Sequence, residues 1–141
     1  MLDQIFEQPL LRTIDKTETL TCSGDIPISE VIHLMQSKRS GHMIIMNRST
    51  IEGIFTERDY LFKIASHEKD LLSRPVSEFM VRNPVKVSIH RNIKEGLVYM
   101  RVGNFRTLVL VDEHDKLYGV VTMKDLCYYI TDRAGFQSGA L

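Results

Sequence analysis

The chain has 141 residues, 43% of them hydrophobic and 26% charged, the balance of an ordinary soluble domain or of two small halves sharing a core. Its 18 Lys and Arg match its 18 Asp and Glu, which excludes a global positive field that would gather nucleic acid or anionic lipid. No apolar run reaches the roughly 18–20 residues of a membrane helix, and two cysteines, Cys22 and Cys127, exclude a disulfide framework.

Residues 1–17 read as a short amphipathic extension interrupted by Pro9; the opening Met1-Leu2-Asp3-Gln4 lacks a signal-peptide pattern, so a reduced cytoplasmic protein is expected. A strand is expected over residues 19–22, then a helix with Ile28, Val31, Ile32 and Met35 at helical spacing. Two β-rich runs, 43–46 and 51–55, flank a polar turn, and a second helix begins at Thr56 and carries Leu61 and Ile64. The charged run Arg58, Lys63, His67, Glu68, Lys69 and Asp70 reads as a solvated face. Ser73-Arg74-Pro75 breaks the chain, and residues 76–80 read as a short linker helix ended before Asn83-Pro84. The same order then returns. A strand at 85–88 precedes a helix with Ile93, Leu97 and Met100, the runs 108–111 and 117–121, and a helix from Thr122 with Leu126, Tyr129 and Ile130. The end of the chain reads as a flexible tail.

The chain therefore states one pattern twice. Gly53-Ile54-Phe55-Thr56-Glu57-Arg58-Asp59-Tyr60 returns as Gly119-Val120-Val121-Thr122-Met123-Lys124-Asp125-Leu126, and Ile28 to Met35 returns as Ile93 to Met100. The extra residue of the second copy falls in its longer polar turn, Asp112-Glu113-His114-Asp115, where an insertion costs little. The expected fold class is α/β (α+β), two β-α-β-β-α repeats packed with pseudo-twofold symmetry. The expected boundaries are an extension at 1–17, repeat one at 18–72, a linker helix at 73–83, repeat two at 84–132 and the tail at 133–141.

Thr-Glu-Arg-Asp and Thr-Met-Lys-Asp each place a hydroxyl three residues before a carboxylate at a helix start. One reading is a capping box, in which both side chains satisfy free backbone N–H groups. The other is a nucleotide site: a helix start suits a phosphate, and a carboxylate one turn in accepts from a ribose diol. Gly53 and Gly119 would let the strand pass close to a ligand. Spacing alone leaves both readings open. The five histidines form no close metal-ligand pair, and no nucleophile elbow or phosphate loop is present. Cys22 and Cys127 read as small core residues, and Met80 as core or partner-facing.

On these residues the chain resembles a tandem pair of cystathionine-β-synthase (CBS) domains, the Bateman module, over residues 18–132; the stretch from Lys38 to Ile45 is similar to small bacterial stand-alone pairs. The resemblance implies a non-catalytic regulatory module that binds adenine nucleotides (AMP, ADP, ATP or NAD) in clefts between the repeats, with no catalytic cofactor and no metal. It implies that Asp59 and Asp125 hold ribose hydroxyls, with Thr56 and Thr122 near ribose and phosphate and Arg58 among the ligand-binding residues. It places the adenine against the first strand of the opposite copy, near Val85 and Val87 for the Asp59 cleft, and the phosphates at the second-strand start. The family often has Arg-His before Leu-Pro-Val there. This chain has Phe105-Arg106-Thr107-Leu108-Val109, with Gly41-His42 in the first copy. A homodimer through the helices after Thr56 and Thr122, carrying Leu61, Ile64, Tyr128 and Tyr129, is expected, and so is a regulated partner on another chain. No membrane or nucleic-acid partner is expected. The alternative is a structural dimerisation or docking module whose clefts hold no nucleotide.

Overall fold

The computed structural model describes residues 1–14 and 19–135, so the expected tail lies outside the described residues from 136 on. The chain divides into two compact units, Glu18–Pro84 and Met1–Thr17 with Val85–Leu141. The N-terminal helix α1 (Leu2–Phe6) belongs to the second of these.

In the first unit, β1 (Thr21–Cys22) leads to α2 (Ile28–Lys38), and β2 (His42–Asn47) and β3 (Thr50–Thr56) form a hairpin followed by α3 (Glu57–Lys63) and the one-turn α4 (Glu68–Leu71). The sheet order is β1-β2-β3-β4, with β1 parallel to β2, the other pairs antiparallel, and β4 (Val81–Arg82) on the edge. In the second unit, β5 (Lys86–Ser88), α5 (Ile93–Gly103), β6 (Thr107–Val111), β7 (Leu117–Thr122) and α6 (Met123–Arg133) follow the same path, with sheet order β5-β6-β7. The β-α-β-β-α order is present in both.

The registers coincide in detail. Both hairpins carry an irregularity at matching positions, Ile45/Met46 and Leu110/Val111. Helical spacing places Ile28, Val31 and Met35 of α2, and Ile93, Gly96 and Met100 of α5, in their cores. Both helices end on a left-handed residue other than glycine, Arg39 (φ 51°) and Asn104 (φ 54°).

The expected linker helix is instead a 3-10 turn at Val76–Glu78 followed by β4, because Val81 and Arg82 pair with Ile54 and Gly53. The turn is part of the first unit: the Val76 N–H donates to Ile26 O (2.9 Å) and the Ser77 N–H to Gly24 O (3.0 Å). The N-terminal segment makes the matching bonds in the second unit. There the Leu10 N–H donates to Arg91 O (2.8 Å) and the Leu11 N–H to Ile89 O (3.1 Å). Each unit is thus closed by the segment that precedes the other unit's strand. Leu10 is fully buried, and a Cβ on Gly96 would lie 2.8 Å from its Cδ2, so this glycine makes room for that leucine.

Several side chains depart from expectation. Ile64, expected on a dimer face, is buried under α3, while Leu61, Phe62 and Tyr128 are exposed and Tyr129 packs against the second core. Met80 is a core residue, and a Cβ on Gly53 would collide with it; this glycine is explained by the packing of Met80 rather than by a ligand. Cys22 packs on the first core, where burial, then the charges of Asp25 and Glu30, push its thiol up to about 11. Cys127 is exposed, because it lies on the outer face of α6.

Candidate functional site

Thr56 and Thr122 stand at the point where β3 and β7 hand over to a helix, and both build a capping box. The Asp59 N–H donates to Thr56 Oγ1 (3.3 Å) and the Thr56 N–H to Asp59 Oδ2 (3.0 Å). In the second unit the Asp125 N–H donates to Thr122 Oγ1 (3.1 Å) and the Thr122 N–H to Asp125 Oδ2 (2.8 Å). The capping reading therefore holds in both repeats, and it accounts for one carboxylate oxygen of each aspartate.

The other oxygen distinguishes them. Asp59 is buried, and its Oδ1 faces the Lys63 ammonium at 3.1 Å, while Lys63 also donates to Phe79 O at 2.8 Å. The Thr56 hydroxyl donates back to Asp59 Oδ2 (3.2 Å). At the position of Lys63, four residues past the aspartate, α6 has Tyr129, whose ring lies 4.6 Å from the Arg133 guanidinium. Among the described residues no donor reaches Asp125 Oδ1, and no acceptor takes the Thr122 hydroxyl proton. Asp125 is half-buried.

The strand beside each helix start completes the setting. His42 is paired with Thr56 across β2 and β3, and Thr107 with Thr122 across β6 and β7. The first helical N–H of α3 donates to Gly41 O, and that of α6 to Arg106 O, both at 2.9 Å, so Gly41 and Arg106 occupy equivalent places. In the first unit the Glu57 carboxylate lies over Gly41, where a Cβ would come within 3.0 Å of its Oε1. In the second, Met123 replaces Glu57 and Arg106 replaces Gly41; Arg106 is exposed and forms no ion pair with another described residue.

The first unit thus gathers His42, Thr56 and Asp59 at one end of its sheet, and the second gathers Arg106, Thr107, Thr122 and Asp125. Arg58 lies over the Phe62 ring at 5.6 Å, a pairing matched by Lys124 over Tyr128 at 5.9 Å. Phe105 is half-buried against the second core and fills the space beside Gly103. Val85 is exposed, whereas the Val87 side chain is 2% exposed and belongs to the core, which leaves its backbone as the part a ligand would meet. The sequence places Lys63 on a solvated face, where the structure pairs it with Asp59, and assigns Glu57 no role. The four-residue spacing of Asp59 and Lys63 was the available signal for the first.

Among the described residues, no group of three or more His, Cys, Asp or Glu side chains is placed to hold a metal ion, and no helix is long and apolar enough to cross a membrane. The family model for the CBS domain matches residues 11–66 and again 76–132. An uncharacterised 17.7 kDa protein of Acidianus ambivalens is 27% identical over 127 residues, covering 89% of this chain and 76% of that protein. The curated relatives range widely in length, and the chain spans from about a quarter to about three-quarters of them. A CBS domain protein from Pyrobaculum aerophilum complexed with AMP superposes with a TM-score of 0.77 at 22% identity, covering 86% of this chain and 92% of that one. The CBS domain pair of protein MJ0100, in complex with 5'-methylthioadenosine and S-adenosyl-L-methionine, gives 0.78 at 19% identity, with 89% and 98% covered. At these identities the likeness is one of fold.

Proposed function

This chain belongs to the CBS-domain family, with two copies in tandem, and from that premise we propose that it is a regulatory module that binds an adenosine-bearing nucleotide at its Thr-x-x-Asp helix starts and catalyses no reaction. The observation that carries this reading is Asp125 Oδ1 and the Thr122 hydroxyl proton, both left without a partner by the described residues, with Arg106 and Thr107 at the adjoining strand start. A carboxylate has room for about four hydrogen bonds, and capping uses one of them in Asp125, so a ribose diol is readily accommodated. AMP, 5'-methylthioadenosine and S-adenosylmethionine, held by the two solved pairs, share adenosine and its diol. Arg106 adds a planar, permanently charged fork suited to a phosphate, which favours AMP, ADP, ATP or NAD over an uncharged nucleoside.

Calorimetry with AMP and with adenosine tests the reading. The Arg106→Ala variant is expected to lose AMP affinity by about 1.5–3 kcal/mol, the range for hydrogen bonds to charged groups, and to bind adenosine as before. Absence of binding by AMP, ADP, ATP, NAD and adenosine at millimolar concentration would refute it.

A second reading, a homodimer that docks a regulated protein, is favoured by Leu61 and Phe62 on α3 and Tyr128 on α6, which are 61%, 74% and 61% exposed. Light scattering at tens of micromolar, about the range in which modest interfaces associate, distinguishes a dimer from a monomer.

A further inference from the structure

The two repeats do not offer the same site, and the difference lies within each unit. We propose that Lys63 and Glu57 close the first repeat to nucleotide, so that the chain takes one adenine nucleotide, at the Thr122–Asp125 helix start. This inference rests on the nucleotide-binding reading and adds to it which repeat is used and which residues decide.

Two independent observations carry it. The first is the occupancy of the carboxylates. Of about four acceptor positions, Asp59 has given two to the Thr56 N–H and hydroxyl and one to the Lys63 ammonium, so a ribose diol, which needs two, finds one. Asp125 has given one, to the Thr122 N–H. Lys63 is not free to swing aside without loss, because the Phe79 carbonyl also holds its ammonium and Asp59 is a buried charge that would be left uncompensated.

The second observation is the charge at the place a phosphate would enter. In the first repeat the Glu57 carboxylate lies over Gly41, so a phosphate approaching the α3 amides meets a like charge. The equivalent place in the second repeat has Met123, with the Arg106 guanidinium on the neighbouring strand. α3 is also seven residues long against eleven for α6, so it aligns fewer peptide dipoles behind its N-terminus. Diol and phosphate therefore select the same repeat. Lys63 acts as a built-in occupant of the first site, and Glu57 as a guard against anions.

The test is calorimetric titration of AMP into the wild-type chain, into Asp125→Asn, and into the double variant Lys63→Met, Glu57→Gln, with a melting curve for each. The wild type is expected to bind one AMP per chain, Asp125→Asn to bind it at least tenfold more weakly, and the double variant to gain a second site. If Asp125→Asn proves unfolded, Arg106→Ala, an exposed substitution, replaces it with the same expected loss. Two AMP per wild-type chain, unchanged affinity in Asp125→Asn, or a double variant that still binds one would overturn the inference and leave the nucleotide reading standing. No AMP bound by any of the proteins would instead sink the nucleotide reading itself.

Discussion

The first and second repeats share strand order, hairpin irregularity, helix caps and left-handed helix ends, and they part company at the surface around the Thr-x-x-Asp turn. In the first, that turn is closed on itself by Lys63, Glu57 and the Thr56 hydroxyl; in the second, Asp125 Oδ1, the Thr122 hydroxyl proton and the Arg106 guanidinium are left uncommitted by the described residues. The difference separates two tasks of one motif. The capping box, worth about 1 kcal/mol to each helix, uses one carboxylate oxygen and the threonine lone pairs, and both repeats keep it. Ligand chemistry needs the other oxygen and the hydroxyl proton, and those differ.

The largest effect that sharpens this comparison lies in the core. Leu10 in the second unit and Val76 in the first are equivalent; Leu10 stands against Gly96, and Val31 holds the place of Gly96 on the matching helix of the first unit. Leu10→Ala is expected to destabilise by about 2–5 kcal/mol in urea unfolding, the range for emptying a leucine site. Gly96→Val alone is expected to cost about 1–3 kcal/mol by overpacking. Adding Leu10→Val, which recreates the first unit's pair, should recover part of that loss. Additive losses in the double variant would break the equivalence of the two segments.

The caps come next. Thr56→Ala and Thr122→Ala are each expected to lower stability by about 0.5–2 kcal/mol. The first should sit at the upper end, because the Thr56 hydroxyl also donates to the buried Asp59 carboxylate. Equal losses, read from paired melting curves, would say that this extra bond contributes nothing.

A smaller effect separates the two helix ends. Arg39→Gly is expected to stabilise by up to about 1 kcal/mol, since glycine adopts the left-handed C-terminal position without a Cβ clash. Asn104→Gly should change little, because asparagine already tolerates that conformation.

The smallest effect is in the hairpin turns. The Lys116 and His114 N–H groups both donate to Asp112, which holds its carboxyl below the usual carboxylate range. A depressed pKa means that the carboxylate supports this turn above the usual carboxylate range. The support fades as pH falls through the lowered value. The amide resonances of His114 and Lys116 should therefore titrate together in acid, below the midpoint of a free aspartate. The first repeat has Arg48 and Ser49 at its turn and no such carboxylate, so its turn amides should not follow.

Much of this fold was legible because its signals are local. Apolar residues at helical spacing, a Gly-apolar-apolar-Thr-x-x-Asp run and a polar turn each report on a few consecutive residues, and their repetition gave the order of elements and both caps. What could not be read was long-range. The pairing of the segments at Leu10 and Val76 with backbone about 80 residues away in one case, and about 50 in the other, leaves no local pattern beyond the shared Pro-apolar start at Pro9 and Pro75. The edge strand β4 has two residues, too few for alternation to show. At the site, the motif identifies Thr56, Asp59, Thr122 and Asp125, but the charged run around Lys63 reads as a solvated face although Lys63 stands one turn beyond Asp59. Glu57 escaped for another reason: its neighbour Gly41 lies across a hairpin, and only the folded sheet brings them together.

The most direct measurement of whether the second repeat alone is open is an amide-resolved NMR titration of the wild-type chain with AMP. The resonances of Arg106, Thr107 and Thr122 to Asp125 are expected to move first and saturate together, while those of Thr56 to Asp59 stay in place. Movement of Thr56 to Asp59 with equal amplitude and the same saturation curve would contradict it.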